Sequence, residues 1–144
     1  MPESWRGAGR HYRQLLFVYG TLGTGTGYAQ ARHLKRRCLI DLGPAWIAGR
    51  LYHLGRYPAA IPTDDAQERV YGRLCALTRP RECLRRLDAY EDYQPRRRAP
   101  SQFRRDRVAA YRLPEGQPVN CWVYYYNGKL AGRPRIVSGR YCAT

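Results

Sequence analysis

Val70-Tyr71-Gly72-Arg73-Leu74-Cys75-Ala76-Leu77, followed by Thr78-Arg79-Pro80 and then Arg81 to Tyr90, decides the fold class. The first eight residues alternate: Val70, Gly72, Leu74 and Ala76 fall on one side, Tyr71, Arg73, Cys75 and Leu77 on the other, which is the period of a strand. Thr78 suits a helix cap and Pro80 the first turn. Cys83, Leu84, Leu87 and Tyr90 then share one helical face, so a helix is expected to end near Ala89–Glu91.

Outward from that unit the chain is mostly strands. Leu15-Leu16-Phe17-Val18-Tyr19 is an apolar run closed by Gly20, as a buried strand entering a turn reads. Gly20 to Gly27 is a glycine-rich loop, and Tyr28 to Arg37 has room for one or two helical turns. Leu39 to Leu54 contains two strand-like pieces around Gly43-Pro44 and Gly49. Tyr57 to Pro62 reads as an extended loop, because each proline restricts its own φ and the residue before it. Arg107–Leu113 and Val119–Tyr126 read as two more strands joined by a Pro-Glu-Gly turn, and Ile136-Val137 has short strand potential. Strands do not alternate regularly with helices, so a doubly wound fold is excluded. An α+β domain built on a small mixed β-barrel with a few short helices is expected, spanning 15–144 after a flexible leader at 1–14.

The chain has 144 residues, 44% hydrophobic and 26% charged, which suits one core of ordinary size. No apolar run approaches the roughly 20 residues of a membrane-spanning helix. The first residues carry no apolar signal segment, so a cytoplasmic location is expected and a membrane role is not. Formal net charge is +15, and every basic residue but Lys35 and Lys129 is arginine. The densest cluster, Arg96 to Arg107, makes a nucleic-acid or other polyanion surface the alternative functional reading. Five cysteines stand at 38, 75, 83, 121 and 142 with no CxxC pair, and three scattered histidines complete no zinc spacing. Buried, reduced thiols are expected, with no metal.

Three segments carry chemistry. The glycine-rich loop ends in neither the Gly-Lys-Ser/Thr of a nucleotide phosphate loop nor the G-x-G-x-x-G spacing. Its backbone N–H groups are nonetheless free to approach an anion such as a carboxylate. Leu87-Asp88-Ala89-Tyr90-Glu91-Asp92 gathers three acids at a helix C-terminus, where the dipole disfavours negative charge. An acid there that faces a pocket gains a raised pKa and becomes a candidate general base. Trp122-Val123-Tyr124-Tyr125-Tyr126 places Trp122, Tyr124 and Tyr126 on one strand face and Val123 and Tyr125 on the other.

Phe17-Val18-Tyr19-Gly20-Thr21-Leu22 resembles the N-terminal signature of the γ-glutamylcyclotransferase-like family. Leu54 to Ile61, Val70 to Leu74, Leu87 to Tyr93, Phe103 to Arg105, Cys121 to Tyr124 and Ser138-Gly139 follow in that family's order, over about residues 15–141. The resemblance implies a small mixed β-barrel and a pocket between the Tyr19-Gly20-Thr21-Leu22 turn and the acid of the Leu87–Tyr93 segment. It implies that Glu91 is the catalytic base. It implies that the backbone N–H groups of Tyr19, Gly20, Thr21 and Leu22 hold a substrate carboxylate and that Tyr57 and Tyr124 line the pocket. The substrate class it implies is a small γ-glutamyl amide, turned over without cofactor by a monomer or homodimer. Two positions depart from the family pattern: the loop continues as GTGTGYAQ, and Asp92 stands where glycine is common.

Overall fold

In the computed structural model the described residues are 14–20, 29–55, 57–90, 103–114 and 116–141. The chain order is β1 (Leu15–Val18), α1 (Ala29–Cys38), β2 (Leu39–Ala48), β3 (Arg50–His53), β4 (Pro58–Ile61), β5 (Arg69–Leu77), α2 (Pro80–Tyr90), β6 (Phe103–Arg112) and β7 (Pro118–Tyr126). Five strands close a mixed barrel in the order β1-β5-β2-β6-β7. The seam pairs β1 with β7 in parallel through Leu16 and Trp122, while the other ladders are antiparallel. β3 and β4 form a separate two-stranded ribbon.

Side-chain alternation sorts the strands into a barrel interior and an outer face. Phe17, Ile47, Val70, Leu74, Ala76, Ala110, Cys121, Val123 and Tyr125 fill the inside. Leu16, Val18, Cys75, Leu77, Phe103 and Tyr124 project outward, where α1 and α2 cover them with Leu34, Cys38, Cys83 and Leu87. The face assignments expected for β5, β7 and α2 hold. Gly72 faces the interior because nothing larger fits: a Cβ there would meet the Val18 carbonyl oxygen at 2.1 Å and the Phe17 ring at 2.9 Å.

Three local expectations change. α1 runs ten residues rather than one or two turns, with Leu34 and Cys38 buried on its inner side. The two strand-like pieces between Leu39 and Leu54 are β2 and β3, parted at Gly49; within β2 the register shift between Asp41 and Gly43 absorbs an extra residue as a bulge, with Gly43 at φ +115°. Residues 58–61 are a strand rather than a loop, since the ribbon partner β3 leaves an edge where proline is tolerated. Ile136-Val137 forms no strand: the tail makes an isolated bridge between Tyr52 and Arg135, and Val137 is exposed.

The expectation of free buried thiols holds at Cys75 and Cys121 and fails at Cys38 and Cys83, which form a disulfide. Packing the end of α1 against the first turns of α2 brings their Cα atoms to 5.6 Å across 45 residues of sequence. Cys142 lies outside the described residues. Burial pushes the Cys75 and Cys121 thiols up to about 12, so neither is a nucleophile near neutrality. Among the described residues no helix is long and apolar enough to cross a membrane.

Candidate active site

The residues that follow β1, Tyr19 and Gly20, are tightly held. Tyr19 is buried with the barrel core, and its hydroxyl donates to the Tyr124 carbonyl while accepting from the Ala60 N–H at 3.2 Å. One phenol therefore ties β1, β4 and β7 together at the point where the turn begins. The next residue, Gly20, lies against Pro58; a Cβ on it would sit 3.3 Å from the proline ring. A methyl group there would require the proline ring to give by a few tenths of an ångström.

Tyr57 lies on the same side. Its ring packs at 49° to Phe103, with centroids 6.0 Å apart, against the cluster that contains Tyr124 and Leu87. Phe103 in turn packs edge-on to Tyr126 at 5.4 Å. Tyr90, the last residue of α2, joins that cluster. These contacts link Tyr19, Gly20, Tyr57 and Tyr124 to one another beside the last turn of α2. Thr21, Leu22 and Glu91 lie outside the described residues.

Tyr124 is placed by chemistry that the alternation pattern does not reveal. Its ring is buried between β7 and α2, and its hydroxyl donates to Asp88 Oδ1 at 2.6 Å. Arg105 on β6 reaches the same carboxylate twice, Nε to Oδ1 at 2.8 Å and Nη2 to Oδ2 at 3.2 Å. A two-pronged guanidinium–carboxylate pair fixes orientation as well as distance. The Arg105 guanidinium also lies 4.3 Å from the centre of the Trp122 ring. Asp88, Arg105 and Tyr124 therefore bind the last turn of α2 to the sheet three residues before Glu91. In the sequence Asp88 is one of three clustered acids in the Leu87–Tyr93 segment and Arg105 one of many arginines, in the Phe103–Arg105 segment; their pairing depends on β6 passing under α2.

The arginine cluster divides. Arg96, Arg97 and Arg98 lie outside the described residues. On β6, Arg104 lies 3.7 Å from Asp106, and Arg107 stacks at 4.6 Å on Trp122 and reaches Gln14. Among the described residues no group of three His, Cys, Asp or Glu could hold a metal ion.

Among the described residues, a closed mixed barrel flanked by two helices, with Gly20 and the last turn of α2 near each other, defines a class of small α+β barrel proteins. The family model for γ-glutamyl cyclotransferase, AIG2-like proteins matches residues 16–143, and the chain belongs to that family. Among solved structures it is similar to an AIG2-like protein of mouse (21% identity, 90% of this chain and 88% of that chain, TM-score 0.66). It is also similar to a uropathogenic Escherichia coli-specific protein (17% identity, 88% and 91% covered, TM-score 0.63). A third is YkqA of Bacillus subtilis (22% identity, 89% of this chain, TM-score 0.62), of which the chain spans only 39%. At these identities the likeness establishes the fold. No curated protein matches the chain.

Proposed function

We propose that the protein is a γ-glutamyl cyclotransferase that releases 5-oxoproline and a free amine or amino acid from a γ-glutamyl amide. The observation that supports this reading most is the convergence of Gly20, Tyr57 and Tyr124 at the exit of α2, in a chain of this family.

The reaction suits such a site. A γ-glutamyl amide carries its own nucleophile: the α-amine attacks the γ-carbonyl carbon, a five-membered ring forms, and the C–N bond to the leaving amine breaks. Attack within one molecule needs chiefly a fixed, folded conformer, and favourable geometry of this kind is worth roughly 7–11 kcal/mol. In this reading the backbone N–H groups of the Tyr19-Gly20-Thr21-Leu22 turn hold the α-carboxylate, with Tyr57 and Tyr124 walling the pocket. Glu91 takes the proton from the α-ammonium and returns it to the leaving nitrogen. No side-chain nucleophile is required, in keeping with thiols that burial holds at about 12. The pair formed by Asp88 and Arg105 positions the helix end that precedes Glu91.

Glu91→Gln keeps the shape of the side chain and removes the base. The variant is expected to melt as the wild type does and to lose about 100- to 10,000-fold in 5-oxoproline release. Wild-type turnover in that variant removes Glu91 from the mechanism.

A further inference from the structure

We infer that the groove on the outer side of α2 is a carboxylate-binding subsite, and that the preferred substrates are γ-glutamyl amides whose leaving portion is acidic. The inference rests on the cyclotransferase reading and adds a substrate class to it. The groove is open to solvent, offers about 630 Å³ and is lined by Arg81, Glu82, Leu84, Arg85, Asp88 and Arg105. Arg81, Leu84, Arg85 and Asp88 form one helical stripe, and its Asp88 end meets Tyr124 of the proposed site through a 2.6 Å hydrogen bond.

Its charges are unequal. Glu82 is engaged by Arg86 at 3.1 Å and faces Arg79 at 3.7 Å, and Asp88 is held by Arg105. Both acids of the groove are therefore already compensated. Arg81 and Arg85 are exposed and have no hydrogen bond or ion pair among the described residues. Two uncompensated guanidiniums beside the apolar Leu84 make a surface complementary to carboxylates. From position 81 to 88 a helix advances about 10 Å, the length of roughly three extended residues. A short acidic peptide fits that span.

Nucleic acid fits less well. Tyr124 is buried with its hydroxyl on Asp88, and Trp122 has Arg105 and Arg107 stacked on it at 4.3 and 4.6 Å. A base would have to compete with those guanidiniums to stack there.

The experiment uses the full chain and the double variant Arg81→Ala/Arg85→Ala, whose lost side chains hold nothing together. Titration with N-acetyl-triglutamate at low salt is expected to show binding that is about three- to tenfold weaker in the variant and weaker for both proteins at high salt. Absence of binding to the wild type, or equal binding to both proteins, overturns the subsite. In turnover, γ-glutamyl-diglutamate is expected to be favoured over γ-glutamyl-dialanine through KM. The variant is expected to lose that preference while its kcat on the neutral substrate is kept. Equal KM values in the wild type overturn the substrate assignment alone. If the wild type converts neither compound yet binds triglutamate through Arg81 and Arg85, the cyclotransferase reading and the substrate assignment fall together, and the carboxylate site stands.

Discussion

Asp88 accepts a 2.6 Å hydrogen bond from the hydroxyl of Tyr124, and this single contact joins the last turn of α2 to β7 across the outer face of the barrel. The carboxylate also carries both prongs of Arg105, and its side chain is only 17% exposed. The contact matters because α2 leads directly into the segment that begins with Glu91.

Removing the partners separately should separate stability from positioning. Tyr124→Phe deletes one hydrogen bond and is expected to cost about 1 kcal/mol. Asp88→Ala leaves the Arg105 guanidinium without its carboxylate and is expected to cost about 2–3 kcal/mol. If Asp88 positions the base, Asp88→Asn should lower kcat more than it changes KM, whereas a purely structural role predicts lower stability with unchanged kinetics in the folded fraction. Denaturant titration and steady-state kinetics on the same preparations decide between them.

Gly72→Ala should be among the most damaging small substitutions. The added methyl would press on the Val18 carbonyl, a backbone atom that cannot rotate away. A loss of about 3 kcal/mol is expected, read as a lower midpoint in urea. An unchanged midpoint would mean that β1 and β5 separate without cost.

The Cys38–Cys83 bond closes a segment spanning 45 residues of sequence separation. Closing a loop of that size is worth about 4 kcal/mol in the chain-entropy account, and measured values run from near zero to about 5. Thermal unfolding with and without a strong reductant should therefore differ by several degrees. Identical curves would show that the helices hold together through Leu34, Leu87 and the Thr78 hydrogen bonds alone.

Acid should weaken the fold through two carboxylates. A hydrogen bond from Thr63, with Arg50 and Arg135 nearby, holds Glu68 below its ordinary value near 4.5. Burial raises Asp41, but Arg73, the Gly43 N–H and Lys35 outweigh it and hold that acid below 3.8. Groups with depressed folded pKa values stabilise above their unfolded pKa and lose that contribution as pH falls through the folded value. Stability should be level from pH 7 to about 5 and decline below about 4.5. Glu68→Gln should flatten part of that decline in urea midpoints measured at pH 7, 4 and 3.

The sequence by itself determined the barrel's alphabet. Alternation in Val70–Leu77 and Val119–Tyr126 assigned inner and outer faces, and the spacing of Cys83, Leu84, Leu87 and Tyr90 assigned the buried side of α2, because strand and helix periods are local properties of the chain. The segments Phe17–Leu22 and Leu87–Tyr93 pointed to the family for the same reason: they are short and contiguous. What depends on distant strands meeting emerges only once the chain is folded. Closure of β1 on β7, the strand made by Pro58–Ile61, the bond between Cys38 and Cys83, and the convergence of Asp88, Arg105 and Tyr124 all join residues well separated in sequence or set by a pairing partner. No local pattern encodes those meetings; they follow from which faces must be buried together when a five-stranded sheet curls shut and two helices cover its outside.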